Sequence, residues 1–279
     1  MGVLWCYKYN IKIMFYNIEM RTFTKFIGAC CKYGQEKNGV QLGPQTLLNG
    51  MGLSADAIYI DDFDYSGYEN LYKLHYDYLR RGWKPVTIGG DHSIALSTVA
   101  SSARVYKDDL TVVWVDAHAD IHTPSSSPSQ NLHGMPLGSL LDYDTPHSTP
   151  HITPGQLIYI GLRDIEPHEE KVINDLGIEN YTMEDLKKTP LDEILTNIYN
   201  RTDAIHLSFD VDVIDPIYIS CTGTPVKDGI SYNDAEKIIN KLSPKIISAD
   251  VVEFNPLLGD KKQVLKETDQ IIKLLDLLN

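Results

Sequence analysis

Cysteine is scarce in this chain: four among 279 residues, Cys6, Cys30, Cys31 and Cys221. None makes a C-x-x-C pair and their spacing forms no disulfide framework, so the sequence reads as that of a protein from a reducing compartment. Positive charge is also short, with 25 Lys and Arg against 38 Asp and Glu and a net charge of −13. That balance argues against a nucleic-acid partner. It suits solubility first, and would also attract a cationic small molecule. No apolar run is long enough to span a bilayer, so no membrane partner is expected.

The N-terminus lacks the marks of a targeting segment. Met1 to Met20 is aromatic and poor in acids, without the unbroken apolar core or small-residue cleavage site of a signal peptide. It has no serine and no arginine before Arg21, which speaks against a transit peptide. The Met-Gly start has Cys6 where a myristoylation signal needs Ser or Thr. The expectation is a peripheral, poorly ordered extension over 1–22, one catalytic domain over 23–279, and a cytoplasmic location, with an organelle as the secondary reading.

What is present is a 43% apolar chain in which β-rich runs alternate with helical patterns. The runs are Phe23–Ala29, Val86–Gly89, Leu110–Val115, Leu157–Gly161, Ala204–Phe209 and Ile246–Val252. Helices are expected at Ser93–Lys107, Glu166–Leu176, Met183–Tyr199, Tyr232–Leu242 and Lys262–Leu278. Such alternation predicts an α/β fold, three layers deep (α-β-α), around a mostly parallel central sheet. Thr123–Gln130 and Asp142–Pro154 read as loops.

Charged groups gather where these runs end. Asp116, His118 and Asp120 follow the Leu110 run, and alternation puts all three on one face, with alanines between. Asp210 and Asp212 repeat the pattern after the Ala204 run. Asp91 and His92, Arg163 and Asp164, and Glu253 follow three further runs. Ligands of open α/β sheets bind outside the carboxyl ends of the strands. A lone Asp at a strand end is usually a turn former or helix cap; the repeated pattern is not explained that way. Four aspartates in one pocket would repel one another and take up protons, unless divalent cations supply the opposing charge. A ligand set of oxygens and imidazoles without thiolate suits Mn²⁺ or a similar ion. His206, inside a strand, reads as a core histidine and Cys221 as a packing residue. His147 and His151 read as surface residues of a Pro/Thr loop.

Gly89-Gly-Asp-His-Ser93, Asp116-Ala-His-Ala-Asp120, Asn131-Leu-His-Gly-Met-Pro136, Ser208-Phe-Asp-Val-Asp212 and Thr222-Gly-Thr-Pro225 together resemble the ureohydrolase family, and within it the arginases. The similarity runs from about Phe26 to the C-terminal helix. It implies an arginase/deacetylase-like fold, two Mn²⁺ per subunit and a homo-oligomer, trimer or hexamer. It further implies that His92, Asp116, Asp120 and Asp210 hold one ion, and His118, Asp116, Asp210 and Asp212 the other. A metal-bridging hydroxide would attack the guanidinium of L-arginine and release urea and L-ornithine. In that scheme Asp120 orients the hydroxide, Glu253 faces the guanidinium with Thr224 beside it, and His133 passes a proton to the leaving amine. Asp91 and Asp215 would orient ligands.

The same resemblance assigns the far end of a small guanidino substrate. Ser129 and Asn131 match residues on the α-carboxylate, and Glu169 one on the α-amino side. Three positions depart from the arginase pattern: His122 replaces an asparagine, Glu166 an aspartate and Gln130 a loop glycine. Gln130 matters if its position needs positive φ. The alternatives are therefore an agmatine or guanidinobutyrate ureohydrolase, or a non-catalytic metal-binding relative.

Overall fold

The structure, a computed structural model, describes residues 3–6, 11–14, 23–54, 56–60, 66–143 and 151–279. Residues 3–6 and 11–14, strands β1 (Val3–Cys6) and β2 (Ile11–Met14), pair antiparallel as a separate ribbon. The rest of the expected extension, and His147, lie outside the described residues.

Eight strands form the central sheet: β3 (Thr24–Cys31), β4 (Asp56–Ile60), β5 (Lys84–Gly89), β6 (Leu110–Val115), β7 (Leu157–Ile160), β8 (Glu179–Tyr181), β9 (Ala204–Asp210) and β10 (Ile246–Val252). Their order is β4-β3-β5-β10-β9-β6-β7-β8, and every neighbouring pair is parallel. A parallel sheet carries crossover helices on both faces, which is why β5 and β9 are buried at every residue. Helices α1 (Gly43–Gly50), α7 (Leu191–Arg201), α8 (Tyr232–Leu242) and α9 (Lys261–Asp276) share one core with one face of the sheet. On α8 the buried residues Ala235, Ile238, Ile239 and Leu242 form the stripe that a helical period places on one side. Helices α3 (Ala95–Tyr106), α4 (Pro136–Leu141) and α5 (Pro167–Leu176) pack in a second core on the other face. Helix α2 (Ser66–Arg80) lies beside α3 on a third cluster.

The strand order creates the site. The chain lays down β5, then β6, and only later inserts β9 and β10 between them. Four neighbouring carboxyl ends thus bring together segments more than 150 residues apart in sequence, as the bond from His92 N to Glu253 shows with its separation of 161.

The expected helix over Met183–Tyr199 is two helices. The short α6 (Met183–Leu186) stops, and α7 begins after Pro190. Proline lacks an N–H and disfavours the helical conformation in the residue before it, here Thr189. Both edge strands, β4 and β8, and helices α1, α2 and α4 had no sequence expectation. β8 is three half-buried residues, Glu179-Asn-Tyr, too short and polar for a periodic signal.

Candidate metal centre

Glycine opens the route into the site. After β5 the chain crosses β3 so closely that a Cβ on Gly90 would stand 1.8 Å from Cys31 O. Asp91 then caps the next turn: its Oδ1 accepts from Ser93 N at 3.0 Å, and its Oδ2 from Gly34 N at 2.8 Å. That cap presents His92, which is 1% exposed. Asp116 leaves β6 with its Oδ1 accepting from His118 N at 2.7 Å. Asp210 ends β9 with its Oδ1 accepting from Asp212 N at 2.8 Å. Asp120 sits at φ 49, a left-handed conformation that Asp tolerates better than most residues.

Two groups of ligand atoms result. His92 Nδ1 faces Asp116 Oδ2 at 3.0 Å, Asp120 Oδ2 at 3.2 Å and Asp210 Oδ2 at 3.3 Å. His118 Nδ1 lies 3.1 Å from Asp212 Oδ2 and 3.5 Å from Asp116 Oδ1. Asp116 therefore turns one oxygen to each histidine, and two triads, His92 with Asp116 and Asp120 and His118 with Asp116 and Asp212, have a spacing that could hold a metal ion. His92 Nδ1 makes no hydrogen bond although it is buried against three carboxylates. Its Nε2 meets Ser208 Oγ at 2.8 Å. With a proton on Nε2 for that hydroxyl, Nδ1 points a lone pair at anionic oxygens, an arrangement that needs a cation between them. The donor set fits a pair of divalent ions.

Electrostatics agree. Burial raises Asp210, Asp212 and Asp120 above the usual carboxylate range, and the neighbouring aspartates add to the rise at each. Burial opposes charge on His92, but its carboxylate neighbours outweigh burial and hold the ring well above its ordinary value. Asp116 is also buried, yet the imidazoles of His118 and His92 beside it pull it below the normal range. Positive charge is what this pocket stabilises.

Several further residues, given no role from the sequence, support the site. Trp114 stacks on His92 with ring centroids 4.0 Å apart and donates from Nε1 to Asp116 Oδ2 at 3.0 Å. Gln35 Nε2 donates to Glu253 Oε2 at 2.5 Å. Asp164 Oδ2 stands 3.6 Å from His118 Nε2. Trp114 lies within a β run in the sequence, and Gln35 is 218 residues from its partner, so neither contact is visible locally.

Glu253, at φ 69 and 1% exposed, accepts from His133 Nδ1 at 3.3 Å and from His92 N at 2.9 Å. Thr224, expected beside Glu253, lines the cleft over the ligands and donates to Asp212 Oδ2 at 3.0 Å. Asp215, expected to orient ligands, spends its carboxylate on the amides of Ile217 and Gly229 in its own loop. A cleft of about 160 Å³ opens above the ligands, lined by His118, Asp120, His122, Ser129, His133, Glu166 and Glu169 among others. Asn131 and Glu253 are not on its wall. Glu169 is 5% exposed and its Oε2 accepts from Glu166 N at 3.0 Å, closing the cap of α5. His122 Nε2 lies 3.4 Å from Glu166 Oε2 and 3.8 Å from Glu169 Oε1. Gln130 has φ 60, so its backbone does adopt the glycine-favouring region; its Nε2 donates to Ser127 O at 2.6 Å and Pro124 O at 3.0 Å. His206 and Cys221 are fully buried and His151 is exposed, as expected.

The Arginase family profile matches residues 24–272. The chain belongs to the arginase family. It is 33% identical over 285 residues to Arginase-1 of Mus musculus, covering 88% of each chain. It is 42% identical over 195 residues to the arginase of Entamoeba histolytica; that stretch covers 65% of this chain and 66% of the relative, just under two thirds of its length. A crystal structure of the Entamoeba histolytica arginase in complex with L-ornithine superposes with TM-score 0.80 at 32% identity, covering 92% of this chain and 99% of that one. The three-layer architecture is thus the arginase fold, and the paired His–Asp groups at its central strand ends lie where such a fold gathers ligands.

Proposed function

We propose that this protein is an arginase that hydrolyses L-arginine to urea and L-ornithine at a pair of Mn²⁺ ions. The observation that carries the reading is Asp116 shared between two histidine–carboxylate groups at the mouth of a cleft. His92, Asp116, Asp120 and Asp210 would hold one ion, and His118, Asp116, Asp210 and Asp212 the other. Bound there, the ions would supply a hydroxide at neutral pH by acidifying a shared water.

The chain's own groups do the rest. Hydrolysis breaks the bond between the guanidinium carbon and the side-chain nitrogen, and the departing amine needs a proton. His133 holds one. Burial lowers its basicity, but the bond to Glu253 and the charges of Glu253, Asp120 and Asp91 outweigh burial and push it up to about 9. Its side chain is 20% exposed at the cleft, so it can recover a proton from solvent. Glu253 offers a carboxylate that pairs well with a planar guanidinium. Asp120 is on the cleft wall, where its carboxylate would accept a hydrogen bond from the attacking water. Ser129 and Asn131 would receive the α-carboxylate, Glu166 and Glu169 the α-amino side, and Thr224 steadies Asp212.

A second reading, agmatine as substrate, draws on one contact. His122, which replaces the asparagine of the arginase pattern, faces Glu166 Oε2 at 3.4 Å. Urea release from L-arginine, agmatine and 4-guanidinobutyrate, with and without chelator and added Mn²⁺, separates the possibilities. A higher kcat/KM on arginine supports the first; no urea from any substrate in Mn²⁺-loaded protein removes both.

A further inference from the structure

Below the metal centre, inside the sheet, lies a second polar cluster that the proposed chemistry does not use. His206 on β9 and Asp250 and Ser248 on β10 are all 0% exposed. His206 Nε2 donates to Asp250 Oδ2 at 2.9 Å, since an ionised carboxylate can only accept. His206 Nδ1 meets the hydroxyls of Ser248 at 2.7 Å and of Ser102, on α3, at 2.9 Å. Thr98, also on α3, donates to Asp250 Oδ2 at 2.5 Å. Asp250 Oδ1 has no hydrogen-bond partner.

Such a cluster is a costly way to fill a core. A buried carboxylate pays a large desolvation penalty, and apolar residues of similar volume are often as stable or more so. Its location gives it a use. Asp250 pairs in register with Ser208 of β9 on one side and Thr87 of β5 on the other. His206, Ser208 and Asp210 alternate along β9 and so share one face. The first belongs to the cluster, the second holds His92 Nε2, and the third stands beside His92 Nδ1. Helix α3 directly continues the turn that carries His92. The cluster therefore sits where the three elements supplying His92, Asp210 and Glu253 meet.

We infer that His206 and Asp250 are positioning residues for the metal centre: their hydrogen-bonded geometry fixes β9 against β10 and α3, and so sets His92 and Asp210 at ligating distance. The inference rests on the metal reading of the site. Its test is Mn²⁺ titration by calorimetry of the full chain stripped of metal, alongside thermal unfolding in chelator. Asp250→Ala should bind Mn²⁺ about tenfold more weakly, the low end of what losing a ligand's own hydrogen-bond partner costs, since Asp250 acts one residue further out. Asp250→Asn keeps an acceptor for His206 and Thr98 and should stay close to the parent. A packing role alone would lower the unfolding temperature in chelator and leave the affinity of the folded protein unchanged; that result overturns the inference. An Asp250→Asn variant as weak as Asp250→Ala overturns it too, because charge and not geometry would then be acting. If Asp250→Ala does not fold, Ser248→Ala, which removes one hydroxyl from His206, takes its place under the same two outcomes. A parent that takes up no Mn²⁺ removes the metal reading and this inference together; a parent that binds while the variants match it removes the inference alone.

Discussion

Asp116 is one side chain belonging to two groups that could each hold a metal ion. Its oxygens face His92 at 3.0 Å and His118 at 3.5 Å, and Trp114 holds it from behind. Replacing it should therefore cost both ions, whereas replacing His118 should cost one. Metal analysis of Asp116→Ala and His118→Ala after Mn²⁺ loading checks this, and equal metal content in the two variants would contradict it. His133 makes the opposite prediction. It touches Glu253 but no proposed ligand in the metal groups, so His133→Asn should keep its metal while turnover falls on the order of a hundredfold, the scale of a lost general acid. Stopped-time urea assays with parallel metal analysis decide it. At this scale the residues of the two His–carboxylate groups were legible because they follow apolar β runs, although strand alternation does not place them: β6 ends at Val115, Asp120 has φ 49 and Asp212 lies in a helical turn. Ser208, Trp114 and Gln35 were not legible, because each acts only through a residue brought to it by another element. The bonds that Thr224 makes to Asp212, and Asp215 to the amides of Ile217 and Gly229, were not legible for the same reason: the nearest partner of a loop side chain is a tertiary fact.

Elements place these side chains through tight crossings. At Gly90 the carbonyl of Cys31 occupies the space of a side chain, at 1.8 Å from an ideal Cβ. The blocking atom is backbone, so Gly90→Ala must shift β3 or the His92 turn. The expected cost is ~3 kcal/mol, the upper range for overpacking, read from the denaturant midpoint in chelator. A smaller loss with full metal affinity would mean the crossing is slack. The six expected strands are all present, because buried parallel strands carry long runs of Val, Ile and Leu. The elements that went unforeseen are edge strands and short or polar helices, whose local signal is weak. The one expected helix that broke did so at Pro190.

Six buried carboxylates, Asp91, Asp116, Asp120, Asp210, Asp212 and Glu253, gather at the candidate metal centre, and cations bound there would stabilise the whole fold. Bound cations that prefer the folded state stabilise it by mass action, ~2.7 kcal/mol at about a hundred times Kd for one site. Chelation should lower the unfolding temperature measurably, and Mn²⁺ should restore it; an unchanged temperature would speak against metal in the folded state. Away from the site, His75 on α2 is fully buried, its Nδ1 2.6 Å from Ser101 Oγ. Burial pulls it down to about 3, from an ordinary imidazole value near 6.5. Between those values the unfolded chain binds the extra proton, so stability falls as pH drops from about 6.5 towards 3, on the order of 1 kcal/mol per pH unit at most. In chelator, His75→Asn should flatten that limb of the pH–stability curve; parallel curves would refute it.

By itself the sequence determined the α/β class, the strand cores and the identity of the acidic and imidazole groups at their carboxyl ends. These depend on hydrophobic period and on which residues directly follow a run, both set over a few residues. Only the tertiary structure decided that β9 and β10 enter between β5 and β6, which residue answers Glu253 or Asp212, and that His206 and Asp250 stand beneath the ligands. Those outcomes depend on contacts between segments separated by up to 218 residues, and no local pattern encodes such partners.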